Sequence, residues 1–160
     1  MTRRLLTLAL LFLAIPAGAD FNAKVVGVSD GDTLTVIDAN RRELKIRLHG
    51  IDAPEKGQPW SDVAKRRLSE LLFGQLVRVN DREQDRYGRT IAVVIIPGPN
   101  ATASDVNRQL VREGLAWSFI RYSKDYSGDE MAARRERLNL WRDPQPVAPW
   151  EWRKVKRAKR

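Results

Sequence analysis

Five short apolar segments predict β-strands, and two of them, Thr33–Asp38 and Glu43–His49, alternate apolar and polar residues with the period of two typical of half-buried strands. The five predicted strands are Val25–Val28, Thr33–Asp38, Glu43–His49, Leu76–Val79 and Ile91–Ile96. The pair Asp30-Gly31 lies between the first two strands, and this dipeptide is a strong hairpin signal. In a chain of 160 residues, five short strands can close into a barrel that leaves little sheet edge exposed.

The apolar period changes to that of a helix in three other segments. The three predicted helices cover Ala64–Leu72, about Val106–Val111 and about Gly128–Leu140. Gly74 and Gly114 follow the first two, as expected at helix ends. The first helix lies between the third and fourth strands, an order typical of the OB-fold. The predicted fold is therefore α+β: a five-stranded OB-fold barrel with three helices.

The N-terminus has the pattern of a secretory signal peptide. Arg3 and Arg4 precede the apolar run Leu5–Ile15, and Ala17-Gly18-Ala19 forms a small-residue cleavage pattern. The run is shorter than the roughly 20 residues that a membrane-spanning helix needs. We expect cleavage near Ala19 and export to the periplasm or the medium; the alternative is an uncleaved membrane anchor.

The rest of the chain is expected to be one domain with a C-terminal extension. The domain covers residues 20–142, and residues 143–160 form an arm rich in Pro and Trp followed by a basic tail. Pro144, Pro146 and Pro149 predict an extended arm over Asp143–Trp152.

Charge and composition restrict the chemistry. The chain has no Cys, which excludes disulfides, thiolate zinc sites and a cysteine nucleophile. Its formal net charge is +9, and six basic residues lie in Arg153–Arg160, so that Asp20–Trp152 is close to neutral. The tail could bind polyanions without sequence preference or could be a solvated, frayed end. A third reading, a membrane-surface protein, rests on the tail alone.

Three loop motifs carry the candidate chemistry, although each alone reads as an ordinary turn. Asp32 and Asp52 are hard carboxylate ligands that suit Ca²⁺, with help from a carbonyl and waters. Glu55 could orient or deprotonate a water molecule. Arg47 and Arg89 carry guanidinium groups that match phosphate oxygens. Together they supply the complementary parts of a site that hydrolyses phosphodiesters.

These motifs closely resemble those of the thermonuclease family, the micrococcal or staphylococcal nuclease-like proteins. The matching segments are Val28–Thr33, Arg47–Glu55 and Asp85–Arg89, and the resemblance covers about Ala23–Trp141. It implies an OB-fold barrel with three helices and a Ca²⁺-dependent endonuclease that acts on DNA and RNA. It also implies that water attacks phosphorus and leaves 3′-phosphate ends. The residues by themselves leave cleavage at internal bonds and at chain ends both open.

The resemblance also implies individual roles. Asp32 and Asp52 match the calcium carboxylates, Glu55 the residue proposed to activate water, and Arg47 and Arg89 the two phosphate-binding arginines.

Five further positions match outer parts of the family's site. Ala53 matches the residue whose main-chain carbonyl binds the metal. Asp30 matches an acid that lies near the metal without binding it directly. Arg86 and Tyr87 match positions that hold another phosphate of the substrate. Tyr122 matches an aromatic residue that contacts the nucleobase.

The chain departs from the family pattern in two places. Ile120 replaces a second tyrosine, and the loop Lys56–Trp60 is shorter than in the best-known member. His49, the only histidine, shares a strand face with Arg47 and is expected to be a half-buried strand residue rather than a ligand. The alternative to a nuclease is a non-catalytic OB module that only binds nucleic acid. A monomer without stable membrane association is expected.

Overall fold

The computed structural model describes residues 20–99 and 102–158, so the predicted signal peptide lies outside the described residues. The strands are β1 Phe21–Val28, β2 Thr33–Asp38, β3 Glu43–Leu48, β4 Ile51–Asp52, β5 Leu76–Gln84, β6 Thr90–Pro97, β7 Ala103–Asp105 and β8 Trp117–Ser118. The α-helices are α1 Ser61–Leu72, α2 Val106–Arg112, α3 Ser127–Arg135 and α4 Pro149–Ala158, and a 3₁₀ helix covers Asn139–Arg142. No helix in this described part of the chain is both long and apolar enough to cross a bilayer.

Five strands form a closed barrel, which confirms the predicted OB-fold. Strand β1 pairs antiparallel with β2 and β5, β2 pairs with β3, and β5 pairs with β6. The parallel pairing of β3 with β6 closes the barrel. Helix α1 follows the third barrel strand and precedes the fourth, as predicted. The alternating apolar residues point inward, and Val25, Val36, Ile46 and Val79 are fully buried.

The third helix is shorter than predicted. Helix α3 ends at Arg135, and the separate 3₁₀ helix follows it. Arg137 and Asn139 have φ of 52° and 41°, left-handed values that interrupt the α-helical path. Met131, which fits the apolar period, has 62% of its surface exposed. Burial in this region instead falls on Leu140 and Trp141.

The prediction of an extended arm over Asp143–Trp152 is wrong from Pro149 onward, because α4 begins there, and the described helices number four rather than three. Of the two readings of the basic tail, the frayed end is contradicted up to Ala158, and polyanion binding stays a prediction. Proline suits the first position of a helix, where its missing N–H is not needed. The ring of Trp150 stacks on Phe119 with centroids 5.2 Å apart and lies 5.5 Å from Trp117. These aromatic contacts hold α4 against the barrel.

Candidate active site

The barrel carries a cleft of about 640 Å³ that collects most of the residues singled out from the sequence. Asp32, Arg47, Glu55 and Arg89 line it, and Asp52 lies beneath its floor with 1% of its surface exposed. The other residues expected near the substrate, Asp30, Arg86, Tyr87 and Tyr122, also line the cleft. Segments that are far apart in sequence therefore meet on one side of the barrel.

Strand pairing explains why they meet. The end of β3 is aligned with the start of β2 through the pair Thr33–Arg47. It is also aligned with the start of β6 through the pair Arg47–Ile91. Asp32 precedes β2 by one residue and contacts Arg47, and Arg89 precedes β6 by one residue and lines the same cleft as Arg47. Side chains from the β1–β2 and β5–β6 turns are thereby brought to one edge.

Arg47 bridges the two predicted metal carboxylates. Its Nη1 lies 2.9 Å from Asp32 Oδ2, and its Nη2 lies 2.8 Å from Asp52 Oδ1. Only 14% of the Arg47 side chain is exposed, so these ion pairs are largely shielded from water. Since one guanidinium reaches both carboxylates, the two acids lie close enough to share a single cation.

The turn before β2 fixes Asp32. The Asp32 amide donates to Asp30 Oδ1 at 3.1 Å, and the Ala53 amide donates to Asp32 Oδ2 at 2.6 Å. Gly31 is required here by close packing: a Cβ at this position would lie 2.7 Å from the Cβ of Ala53 and 2.8 Å from that of Ala64. The turn thus lies directly against the segment that carries Asp52.

The electrostatics of Asp32 are dominated by burial, which disfavours its charged form. Burial raises the pKa of Asp32 to about 7; the Arg47 guanidinium and the Ala53 amide oppose this shift, while the carboxylates of Asp30 and Asp52 add to it. A cation in this position would relieve the repulsion.

The residues present fit a hard divalent cation. Asp32 and Asp52 offer carboxylate oxygens to one position, and the Ala53 carbonyl is the third candidate ligand. Within residues 20–99 and 102–158, no three His, Cys, Asp or Glu side chains form a complete metal site. A Ca²⁺ ion, which takes 6–8 oxygen ligands, would therefore need the carbonyl and waters as well.

The β5–β6 turn holds the second candidate phosphate-binding arginine. Asp85 Oδ2 accepts a hydrogen bond from Arg89 Nε at 2.8 Å, and Asp85 Oδ1 accepts from the Arg89 amide at 3.0 Å. The guanidinium of Arg86 donates to the Tyr87 hydroxyl at 2.7 Å. Tyr87 has 69% of its surface exposed, so its ring is available to a ligand in the cleft.

The aromatic side of the cleft is formed by Phe119 and Tyr122, whose rings are 4.9 Å apart. Tyr122 is mostly exposed, as a residue that stacks on a base would be. Ile120, which stands where the family has a second tyrosine, is also exposed but does not line the cleft. His49 is half-buried and lines the cleft, where burial and the charge of Arg82 lower its pKa. Its expected half-buried position is confirmed, although β3 ends one residue before it.

Sequence reasoning missed the role of Arg153, which it placed in a basic tail that either binds polyanions or is solvated. Arg153 Nη1 lies 2.5 Å from Glu55 Oε1, and Arg153 Nη2 lies 2.7 Å from Asp52 Oδ2. Arg157 lines the same cleft one helical turn farther along α4. The spacing of Trp150, Arg153 and Arg157 on one helix face could have indicated a packed helix.

Comparison with known proteins identifies the family. A family model described as "Staphylococcal nuclease homologue" matches residues 45–143. "Micrococcal nuclease" of Shigella flexneri is 42% identical over 153 residues, covering 91% of this chain and 87% of that protein. "Uncharacterized endonuclease" of Haemophilus influenzae is 38% identical over 133 residues, covering 82% of this chain and 72% of that protein. The chain therefore belongs to the staphylococcal nuclease family.

Proposed function

We propose that this protein is an exported, Ca²⁺-dependent nuclease that hydrolyses both DNA and RNA and leaves 3′-phosphate ends. Family membership already makes it a hydrolytic nuclease of the staphylococcal type, with nucleic acid as its substrate. Nucleases of this family are generally metal-dependent. The choice of Ca²⁺, the tolerance for both sugars, the product ends and export are the parts proposed here.

The observation that carries the proposal is the cleft itself. Asp32 and Asp52, both in contact with the Arg47 guanidinium, lie with Glu55 and Arg89 around a single opening on the barrel. A module that only bound nucleic acid would not need Asp32 and Asp52 close together under a guanidinium. The grouping of acids with arginines favours phosphodiester hydrolysis over simple binding.

Each side chain has a role that its chemistry supports. Arg47 and Arg89 bind the phosphate oxygens and stabilise the negative charge that develops as the bond breaks. Glu55 accepts a proton from the water whose oxygen bonds to phosphorus. The bond from phosphorus to the 5′-oxygen breaks at the same time, and the released 5′-oxygen takes a proton from solvent. Asp32, Asp52 and the Ala53 carbonyl would hold the Ca²⁺ ion, and Asp30 supports the turn of Asp32 through its hydrogen bond to the Asp32 amide. The bound ion supplies Lewis-acid stabilisation of the phosphoryl group.

The rim of the cleft suits a polynucleotide rather than a small phosphate. Arg86 and Tyr87 are positioned for a neighbouring phosphate, and Tyr122 offers an exposed ring for a base. Stacking and phosphate contacts do not depend on the sugar, which supports activity on both DNA and RNA. The basic residues of α4 and the two residues after it add a non-specific polyanion contact, and the active form is a monomer.

The test is nuclease activity of the mature protein, residues 20–160, on single-stranded DNA, duplex DNA and RNA. We expect cleavage of all three substrates with Ca²⁺, no cleavage with excess chelator, and recovery when Ca²⁺ is restored. End-labelling should find 3′-phosphates.

Two outcomes would contradict the proposal. Full activity in excess chelator would remove the metal from the mechanism. Salt-dependent binding of DNA without cleavage under any divalent cation would support the alternative, a module that only binds nucleic acid.

A further inference from the structure

The C-terminal helix inserts a positive charge among the candidate catalytic acids. Arg153 hydrogen-bonds Asp52 and Glu55, residues that precede it by 101 and 98 positions. Its Nη1 also lies 3.2 Å from Asp52 Oδ1, so the guanidinium contacts both oxygens of that carboxylate. The contact joins α4 to the two acids on which the proposed chemistry depends most directly.

Both carboxylate oxygens of Asp52 accept hydrogen bonds from guanidinium groups. Its Oδ1 accepts from Arg47 at 2.8 Å and from Arg153 at 3.2 Å, and its Oδ2 accepts from Arg153 at 2.7 Å. A carboxylate has about four lone-pair sites, and three of those on Asp52 are used here. With 1% of its surface exposed, Asp52 can take a new ligand at Oδ2 only if Arg153, which now holds that oxygen, gives way.

The contact is built into the fold and is not a chance surface pair. Only 31% of the Arg153 side chain is exposed. Burial disfavours its charged form, yet the hydrogen bonds to Asp52 and Glu55 outweigh this and raise the pKa of Arg153. The stacking of Trp150 on Phe119 and the hydrogen bond from Gln58 Nε2 to the Val147 carbonyl, 2.7 Å long, fix the start of the helix.

We propose that Arg153 is an internal counter-cation that competes with a divalent cation for Asp52 while it also holds Glu55, so that α4 sets the metal affinity of the site. The inference rests on the proposed function, because it requires Asp52 to bind the metal. A guanidinium and a dication that share one carboxylate repel each other at a separation of a few ångströms. Arg47 contacts only Oδ1 of Asp52, whereas Oδ2 of Asp52 and Oε1 of Glu55 are both held by Arg153. An ion that binds Oδ2 therefore requires Arg153 to withdraw, and its withdrawal frees an oxygen of Glu55 for water.

The experiment is calorimetric titration of Ca²⁺ into the wild-type protein, Arg153→Gln and the matched control Lys154→Gln. Lys154 lies on the same helix and pairs with its neighbour Glu151, so the control removes the same charge away from the cleft. We expect Arg153→Gln to bind Ca²⁺ about tenfold more tightly, since the competing charge is gone. Lys154→Gln should stay within about twofold of wild type, because exposed charges are well screened.

Arg153→Lys provides a second variant in case the glutamine variant does not fold. It keeps the charge but loses the forked contact, so its affinity should lie between those of the wild type and Arg153→Gln.

Three results would overturn the inference. Equal Ca²⁺ affinity in the wild type and both Arg153 variants would show no competition. Weaker binding in Arg153→Gln would show that Arg153 holds the acids in place for the metal. Absence of Ca²⁺ binding in every protein would refute the proposed metal site itself, and this result is distinct from the other two.

Discussion

A single methyl group added at Gly31 should disturb both the stability and the activity of this protein. In Gly31→Ala, the new Cβ would lie 2.7 Å from the Cβ of Ala53 and 2.8 Å from the Cβ of Ala64. Carbon atoms in ordinary contact are about 3.5–4.0 Å apart, so the turn must move by roughly 1 Å. The movement carries Asp32 away from the Ala53 amide, to which it is now hydrogen-bonded at 2.6 Å.

The size of both effects follows from this displacement. Overpacking a well-filled core costs about 1–3 kcal/mol in the free energy of unfolding. A misplacement of about 1 Å at a catalytic site can cost about 10²-fold in rate. We therefore expect Gly31→Ala to lose both quantities together, since one contact supports the fold and the position of Asp32.

The assay is urea unfolding followed by tryptophan fluorescence, together with cleavage of single-stranded DNA. Gly27→Ala is the matched control, because its Cβ would lie at an ordinary 3.7 Å from the Thr35 Cβ. It should change stability by less than about 1 kcal/mol and leave the rate unaltered. The double variant Gly31→Ala/Ala53→Gly removes the closest clash and should recover part of the lost activity.

Two results would refute the reasoning. If Gly31→Ala unfolded within about 0.5 kcal/mol of the wild type and kept its rate, the turn would not be packed as tightly as the distances indicate. If it lost activity without losing stability, the methyl group would act through some route other than crowding.

Two further predictions concern single carboxylates. Glu55→Gln should fold normally and lose about 10²–10⁴-fold in cleavage rate. Glu70→Gln, on the exposed side of α1, is the control and should keep the wild-type rate. Equal cleavage rates in both variants would show that Glu55 is not the base. Glu113 accepts two hydrogen bonds from Arg67, both 2.7 Å long. These bonds lower the pKa of Glu113 despite its partial burial. Because the folded pKa is depressed, the stabilisation is present above about pH 4.3 and is lost as pH falls through that region. Glu113→Gln should therefore be about 1 kcal/mol less stable at pH 7, after allowance for solvent screening, and urea unfolding curves should show the difference shrinking as pH falls below about 4.3. A difference that stayed constant, or grew, as the pH was lowered would contradict this assignment.

Local pattern was sufficient for much of the barrel. Alternation along Thr33–Asp38 and Glu43–His49 predicted strands whose inward residues are buried, because a strand exposes alternate side chains to opposite faces wherever it lies. The residue types of the three motifs likewise indicated phosphodiester chemistry before their positions were known. The turn at Gly31 was predicted as well, from the turn preference of the Asp-Gly pair. The structure adds a second reason for glycine at this position, because a side chain there would collide with Ala53 and Ala64.

Tertiary structure decided what local pattern could not. The prolines after Asp143 predicted an extended arm, yet aromatic packing of Trp150 against Phe119 supports a helix from Pro149 onward. Arg153 looked like one charge of a solvated tail and lies instead against Asp52, 101 residues away. Periodicity reports only which face of an element is buried, whereas the partner of a buried charge depends on how distant elements pack. The sequence alone therefore determined the barrel and the reactive groups, and the packed fold determined which of those groups meet.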